Sequence, residues 1–192
     1  IAWGLSRLPR FAGHTITEVP YNVAQHSLLV AEITSDIFLD VYGPTTPEVQ
    51  KSVDALQSEA ASSIWSSSYE VYRNVLTLKA LLHDSAEVYI GDVPSPVKKH
   101  PQINEAIKSI ENKLMASIFK KFNLVAMNNN EQVVIHFADL VARAIEAHAF
   151  MHSRGKDWNL PPVSLVRLQQ FEPPMTSVES YNKFLEKFRE LY

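Results

Sequence analysis

The stretch LKALLHDSAEVYIGDVPSPVK, residues 78–98, places several ionisable side chains in an apolar setting. Its first half is rich in leucine and alanine and predicts a buried helix. On a helix, Glu87 lies one turn beyond both His83 and Asp84, so these three side chains share one side. The neighbours His83 and Asp84 diverge by about 100°, yet both can reach one ion placed between their directions. Asp92 follows just after a glycine, so the stretch predicts a polar site where a buried helix ends.

The helix that contains this stretch is predicted to run from about Tyr69 to Tyr89. Gly91 should end it, because Pro94 and Pro96 prevent its continuation. Apolar residues recur at intervals of three or four on both sides of the stretch and predict further helices. These helices cover 23–41, with Asn22 as N-cap and an end at Gly43-Pro44; about 47–61; 102–122; 131–152; and about 178–191.

The segments between the predicted helices carry turn and loop signals. SSIWSSS, residues 62–68, predicts a bend or a mobile join, and MNNN, residues 127–130, predicts a turn. Only residues 160–174 are ambiguous, and neither strand alternation nor an internal repeat is present. The sequence therefore predicts an all-α fold, a bundle of five or six main helices that forms one domain over residues 1–192.

The composition excludes several classes of protein. The 192 residues include 46% hydrophobic residues and five glycines, which is typical of a globular chain. The net charge of −3 gives no general basic field for duplex nucleic acid. The sequence has no cysteine, so disulfides, thiolate metal sites and cysteine nucleophiles are excluded. No apolar run approaches the roughly 18 residues of a membrane span and no signal-peptide pattern appears, so we expect a cytoplasmic protein with no membrane partner.

The His83-Asp84 pair is weak support for a metal site by itself, because an ordinary surface pair has the same sequence. Asp139 adds to it, since its surroundings, VVIHFADLVARAIEA, are apolar on nearly every side. A buried carboxylate without a partner is costly and requires a cation or several donors. Asp139 is therefore a candidate metal ligand, and an ion pair with Arg143, one helical turn away, is the alternative.

A fourth candidate ligand is His26, which lies in the first turns of an apolar helix between Gln25 and Ser27. Alone, a histidine in such a place is more often a core residue than a ligand. Together with His83, Asp84 and Asp139, however, it makes a nitrogen-and-oxygen ligand set from three helices. Such a set without sulfur suits one divalent ion such as Mn²⁺, Co²⁺, Fe²⁺, Ni²⁺ or Zn²⁺. Four protein ligands leave coordination positions open, as in catalytic sites.

These residues resemble the signature of the HD-domain metal-dependent phosphohydrolases. The segments SRLPRFAGHT, NVAQHSLLVA and LLHDSAEVYIGDVPSPVK are similar to those of the bacterial and phage HD hydrolases related to the YfbR-like 5′-deoxynucleotidases. The similarity covers residues 5–98, apart from an insertion near residues 43–68, and continues to the helix that contains Asp139. It implies an HD-domain bundle in which the four candidate ligands hold the metal ion.

The resemblance also implies the roles of the remaining site residues. Glu87 and Asp92 would serve catalysis, one accepting a proton from the attacking water and the other protonating the leaving sugar oxygen. Arg10 would contact the substrate and, with Lys98, hold phosphate charge. Phe11 stands where the best-known members have tryptophan, and would line the sugar. The further candidate for substrate binding is His14, which alternatively caps the turn after Gly13.

The resulting prediction is a metal-dependent hydrolase of deoxynucleoside 5′-monophosphates. The first alternative is a deoxynucleoside triphosphate triphosphohydrolase of the dATP type, because related phage members act on that substrate. The second is a catalytically silent interaction domain that the metal stabilises. Glu87 and Asp92 argue against a silent domain, since structural ligation requires neither. The resemblance also implies a homo-oligomer, with a dimer favoured.

Overall fold

The computed structural model describes residues 1–42, 59–164, 167–168 and 171–192. These ranges contain eight α-helices and no β-strand, so the chain has the all-α fold that its sequence predicts. Five of the eight are long, in agreement with five or six main helices. The helices are α1 (Ala2–Leu5), α2 (Val23–Tyr42), α3 (Glu59–Leu81), α4 (Glu87–Ile90), α5 (Ser95–Lys98), α6 (Pro101–Lys121), α7 (Asn129–Phe150) and α8 (Ser177–Leu191).

Helix α2 is the centre of the bundle and packs against α3, α7 and α8. Its inward side chains, such as Val30 and Ile33, are almost completely buried, as are Leu81 of α3 and Ile145 of α7. Burial of a side chain of this size contributes roughly 1.5–3 kcal/mol. The apolar contacts therefore fix α2, α3 and α7 against one another; α2 and α7 carry candidate ligands, and two more follow directly after α3.

The start of α2 is fixed by the predicted N-cap. The backbone N–H of Gln25 donates to Oδ1 of Asn22 at 3.0 Å. The amide nitrogen of Asn22 donates in turn to Oγ of Ser180 at 2.8 Å, which ties the cap to α8. The first turn of α2, and with it His26, is thereby held in place. The predicted helix end at Gly43-Pro44 lies outside the described residues, as does the predicted helix at 47–61 up to residue 58.

The predicted bend at residues 62–68 is wrong, because α3 begins at Glu59 and continues through the serine-rich stretch. A serine in a helix costs only about 0.5 kcal/mol relative to alanine, and this stretch contains neither proline nor glycine. Further along, Leu76, Leu78 and Leu81 of the same helix are buried in the core. The packing of this second half outweighs the weak preference of the first.

The predicted continuation of this helix to Tyr89 is also wrong. Helix α3 ends at Leu81, residues 82–86 form turns, and the short α4 follows. The backbone changes from α-helical hydrogen bonds to tighter ones that span three residues: the N–H of His83 donates to Ala80 at 3.2 Å, and that of Glu87 donates to Asp84 at 2.9 Å. Nδ1 of His83 shares the Ala80 carbonyl, at 2.8 Å. The two candidate ligands therefore lie on a turn and not on a continuous helix face. Gly91, with φ of 83°, ends α4 as predicted.

The second half of the chain follows the sequence closely. Helices α6 and α7 agree with the predicted 102–122 and 131–152 to within two residues. Helices α7 and α8 both begin with a capping box, in which Asn128 pairs with Glu131 and Thr176 pairs with Glu179. The described part of the ambiguous residues 160–174 contains no strand.

Residues 10–13, between α1 and α2, form a tight left-handed turn. The φ angles are 54° at Phe11, 51° at Ala12 and 76° at Gly13. For residues other than glycine this conformation costs about 1–2 kcal/mol each. Hydrogen bonds hold the segment at both ends, from the N–H of Arg10 to Tyr21 at 2.8 Å and from the N–H of Ile16 to Phe150 at 3.0 Å. The strained turn is therefore fixed beside the start of α2 and the end of α7.

None of the helices in the described ranges is both long enough and apolar enough to cross a membrane.

Candidate metal centre and active site

The structure brings the four predicted metal ligands together. One ligand atom from each of His26, His83 and Asp139 lies within 4.8 Å of the other two. Oδ2 of Asp84 lies 3.4 Å from Nε2 of His26 and 3.1 Å from Nε2 of His83. The four side chains come from α2, from the turn after α3 and from α7. They form a compact nitrogen-and-oxygen cluster at the centre of the bundle.

Both imidazoles turn Nε2 into this cluster. Nδ1 of His26 donates to Oε1 of Glu146 at 2.6 Å, and Nδ1 of His83 donates to the carbonyl of Ala80 at 2.8 Å. In the neutral rings these acceptors select the tautomer with the proton on Nδ1, which leaves the Nε2 lone pair free to bind a metal ion. Within the described part of the chain, each Nε2 is buried and makes no hydrogen bond of good geometry, although carboxylate oxygens lie nearby. Burial and Arg10 oppose a charge on His26, but Glu146, Asp139 and Asp84 hold its pKa well above the ordinary value. His26 is therefore protonated in the metal-free protein, and a divalent cation, which fits the donor set, would replace its Nε2 proton.

The electrostatics keep the two candidate carboxylate ligands ionised. Burial alone would raise the pKa of Asp139, but hydrogen bonding and charge from His26, together with Arg143, hold that pKa well below its ordinary value. Burial opposes ionisation of Asp84 in the same way, and His83 and His26 hold its pKa well below the usual range. Two ionised carboxylates in one partly buried cluster attract a cation.

The ion pair considered as the alternative for Asp139 is also present. Nη2 of Arg143 donates to Oδ2 of Asp139 at 2.7 Å. The other oxygen, Oδ1, faces Nε2 of His26 at 3.3 Å. Each oxygen of Asp139 therefore has a different environment, one paired with arginine and one directed to the cluster.

Glu87 is buried, with 3% of its surface exposed, beside the cluster. Its Oε1 accepts a hydrogen bond from Nζ of Lys98 at 2.9 Å, whereas its Oε2 is buried without a hydrogen-bond partner in the part of the chain that the structure describes. Burial and the charges of Asp84 and Asp92 raise the pKa of Glu87 to about 8, against the opposing effect of Lys98. Lys98 also pairs with Glu111 at 3.1 Å. The half-buried Asp92 is close enough to act electrostatically on Glu87.

The predicted substrate-binding residues lie on the strained turn and on α5. Arg10 is buried, with its guanidinium 3.7 Å from Oδ2 of Asp84 and 3.3 Å from Oε2 of Glu146. The ring of Phe11 lies 5.4 Å from Cζ of Arg10 and packs against Trp158, with 5.8 Å between ring centroids. His14 is exposed, and its backbone N–H closes the turn on the carbonyl of Phe11, in keeping with the capping alternative.

Two buried groups beside the cluster were not predicted from the sequence, Glu146 and Tyr21. The hydroxyl of Tyr21 donates to Oε1 of Glu146 at 3.0 Å. Burial opposes ionisation of Glu146, but the charges of His26 and Arg10 hold its pKa below the ordinary value. The signal in the sequence was its position, seven residues and two helical turns after Asp139 in an equally apolar surrounding.

Comparison with known proteins gives a consistent result. The family model of the YfbR-like 5′-deoxynucleotidases matches residues 55–152. An uncharacterized protein of Escherichia coli, YfdR, is 24% identical over the whole chain, which spans 82% of its length. An uncharacterized protein of Rhodobacter capsulatus is 29% identical over 77% of the chain and 59% of its own length. The 5′-deoxynucleotidase PM0747 of Pasteurella multocida is 24% identical over 50% of the chain and 55% of its own length.

Proposed function

Because the chain belongs to the YfbR-like 5′-deoxynucleotidase family, whose fold is the HD-domain bundle, we propose that it hydrolyses deoxynucleoside 5′-monophosphates to deoxynucleosides and phosphate. The observation that carries this proposal is the pair of buried imidazole Nε2 atoms, without hydrogen-bond partners among the described residues, that face Asp84 and Asp139. In this proposal residues 1–192 act as one HD domain.

One divalent ion would be held by His26, His83, Asp84 and Asp139. The two nitrogen and two oxygen donors, without sulfur, suit Mn²⁺, Co²⁺, Fe²⁺, Ni²⁺ or Zn²⁺. When bound, such an ion supplies Lewis acidity toward the phosphate and lowers the pKa of a coordinated water.

Proton transfer is assigned to Glu87 and Asp92. A buried carboxyl beside the proposed ligands is suited to exchange protons with substrate and water, and in the metal-free chain burial, Asp84 and Asp92 raise the pKa of Glu87 to about 8. Lys98 occupies Oε1 of Glu87, so the unpartnered Oε2 is the oxygen that exchanges the proton. As the water oxygen bonds to phosphorus and the bond to the sugar oxygen breaks, one carboxyl takes the water proton and the other supplies a proton to the leaving oxygen.

Substrate binding is assigned to Arg10, Phe11, His14 and Lys98. Arg10 offers a planar fork of donors that matches a phosphate group, at a distance of 3.7 Å from a candidate ligand. The apolar face of Phe11 favours a sugar without a 2′-hydroxyl, because burial of that hydroxyl without a partner costs about 1–3 kcal/mol. Nζ of Lys98 pairs with both Glu87 and Glu111, so only part of its positive charge is directed to the phosphate.

Two other functions are weighed against this one. A dNTP triphosphohydrolase would use the same ligands and differ in releasing triphosphate. A silent, metal-stabilised domain would have no use for a buried glutamate with an unpartnered oxygen beside the ligands, and Glu87 has that arrangement. We also propose that the chain forms a homo-oligomer, most simply a dimer, as the family resemblance implies.

The experiment that tests the proposal is a substrate panel. The purified chain is assayed with dNMPs, NMPs and dNTPs in the presence of Mn²⁺ or Co²⁺, and the released phosphate or triphosphate is identified. Asp139→Ala is the matched control, because it removes a proposed ligand. We expect phosphate from dNMPs, and none from the control. Triphosphate from dNTPs would establish the first alternative, and metal binding without any turnover would establish the second.

A further inference from the structure

Glu146 is a fully buried carboxylate that the proposed reaction does not use directly. Its Oε1 accepts hydrogen bonds from Nδ1 of His26 at 2.6 Å and from the hydroxyl of Tyr21 at 3.0 Å. Its Oε2 lies 3.3 Å from Nη2 of Arg10. The exposed fraction of the residue is 0%. One carboxylate therefore contacts a proposed metal ligand, a proposed phosphate-binding arginine and a tyrosine.

The contact with His26 determines which ring nitrogen faces the cluster. A neutral imidazole has two tautomers, and a carboxylate that accepts from Nδ1 selects the one with the lone pair on Nε2. A hydrogen bond of 2.6 Å to an ionised acceptor is of the strong, charge-assisted kind. It also fixes the orientation of the ring, which has no exposed surface. The alternative tautomer would leave the oxygen of Glu146 without this donor.

Helix α7 contributes two residues to the proposed metal centre, Asp139 and Glu146. Asp139 lies seven residues before it, close to two helical turns, so both side chains project from the same side of α7. Helix α7 thus supplies one candidate ligand and the group that orients another from α2. Tyr21, just before α2, completes the contacts of the carboxylate.

We propose that Glu146 is a positioning residue of the metal centre: it accepts a hydrogen bond from the Nδ1–H of His26 so that Nε2 faces the ion, and its second oxygen holds Arg10 beside the same ion. This inference rests on the proposed function, because it takes His26 as a metal ligand.

The chain offers a matched control for the effect of removing a buried charge. Glu131 lies on the same helix, is also buried, and accepts from Nζ of Lys79 at 2.8 and 2.9 Å. Its other contact is the capping box with Asn128. Glu131→Gln therefore removes a buried ion-paired carboxylate of α7 that has no link to the cluster.

The experiment compares Zn²⁺ affinity in the wild type, Glu146→Gln and Glu131→Gln, by competition with a chromophoric chelator after metal removal. Glu146→Gln removes the negative charge and leaves one acceptor oxygen for the three donors His26, Tyr21 and Arg10. Weakening of a partner that orients a ligand typically lowers metal affinity 10- to 100-fold, and we expect a loss in this range. Glu131→Gln should lower the melting temperature and leave Zn²⁺ affinity unchanged. In the ¹⁵N NMR spectrum of the Zn²⁺-loaded wild type, His26 should carry its proton on Nδ1 and bind through Nε2.

Equal Zn²⁺ affinity in folded Glu146→Gln and wild type would overturn the positioning role, as would an equal loss in Glu131→Gln. If Glu146→Gln does not fold, the NMR spectrum decides, because coordination of His26 through Nδ1 contradicts the inference. A wild-type chain that binds no Zn²⁺, Mn²⁺ or Co²⁺ would overturn the proposed function itself. Zn²⁺ binding with wild-type affinity in Glu146→Gln leaves the proposed function intact.

Discussion

Nζ of Lys98 lies 2.9 Å from Oε1 of Glu87, while Oε2 of the same buried carboxyl has no hydrogen-bond partner within residues 1–42, 59–164, 167–168 and 171–192. A lysine at this distance favours the ionised form of the carboxyl. Burial and the neighbouring Asp84 and Asp92 nevertheless outweigh it and raise the pKa of Glu87 to about 8. The fold therefore holds Glu87 in an environment that favours its protonated form, and this arrangement affects both stability and catalysis.

The effect on stability has a definite sign. Because the pKa of Glu87 is higher in the folded state than its ordinary value of 4.5, ionisation is harder after folding. The stability of the metal-free wild type should then fall relative to Glu87→Gln as the pH rises from about 4.5 to about 8. Over this pH range, the difference in free energy of unfolding between Glu87→Gln and the wild type should change by an amount on the order of a few kcal/mol. Urea denaturation in EDTA, from pH 4.5 to pH 9, measures it.

The control for this pH dependence is Glu111→Gln, which removes the other carboxylate partner of Lys98. Since Glu87 is intact in this variant, its stability should keep the pH trend of the wild type. A difference between wild type and Glu87→Gln that stays constant over the whole range would contradict the raised pKa.

The effect on catalysis is tested with Glu87→Ala. General acid–base catalysis contributes typically 10²- to 10⁴-fold, and we expect kcat to fall by about that factor. Metal content should be unchanged, because Glu87 is outside the proposed ligand set. Steady-state kinetics and elemental analysis on the same preparation provide the two numbers. Near-normal turnover in a folded variant would remove Glu87 from the mechanism.

Phe11 is expected to select the sugar. We predict that wild-type kcat/KM favours deoxyribonucleotides over matched ribonucleotides by about 10- to 100-fold, which corresponds to the cost of burying an unpaired hydroxyl. Phe11→Ala should reduce this preference. Arg10→Ala serves as the comparison, because it should lower kcat/KM for both sugars alike and leave the base preference unchanged. Equal kcat/KM for the two sugars in the wild type would refute the selectivity.

The left-handed turn gives a prediction about stability alone. Ala12 has φ of 51°, a conformation that glycine adopts without a steric penalty. Ala12→Gly should therefore stabilise the protein by about 0.5–1 kcal/mol, after subtraction of the entropy that glycine adds to the unfolded state. The matched substitution Ala106→Gly, at an exposed position of α6, should destabilise it by about 1 kcal/mol. Thermal denaturation of the two variants measures both changes in stability. A loss of stability in Ala12→Gly would contradict the backbone strain that we infer at Ala12.

The sequence predicts the long helices well because the apolar spacing that identifies them also packs them. The spacing around Val30 and Ile33 is an example, since both side chains are buried in the core. The apolar spacing also predicts which helices pack together, so the approach of the candidate ligands can be predicted without knowledge of the loops. The cap at Asn22 is local, and it too follows from the sequence.

Some departures from prediction are local, and one depends on distant contacts. The helix breaks after Leu81 although residues 82–86 contain no proline or glycine, and the tight turns there coincide with the hydrogen bond from Nδ1 of His83 to the carbonyl of Ala80. The serine-rich part of α3 continues as a helix although its composition suggests a bend. Glu146 was missed because its partners, His26 and Arg10, are more than a hundred residues away along the chain. Local patterns carry no information about such pairs.

We propose above that His26, His83, Asp84 and Asp139 hold one divalent ion. The most direct test is the metal content of the chain, measured by elemental analysis after loading with Mn²⁺ and removal of the excess, in the wild type and in Asp139→Ala. We expect one ion per wild-type chain and a large loss of metal from the folded variant. Two tightly bound ions per chain, or full retention of metal in Asp139→Ala, would contradict it.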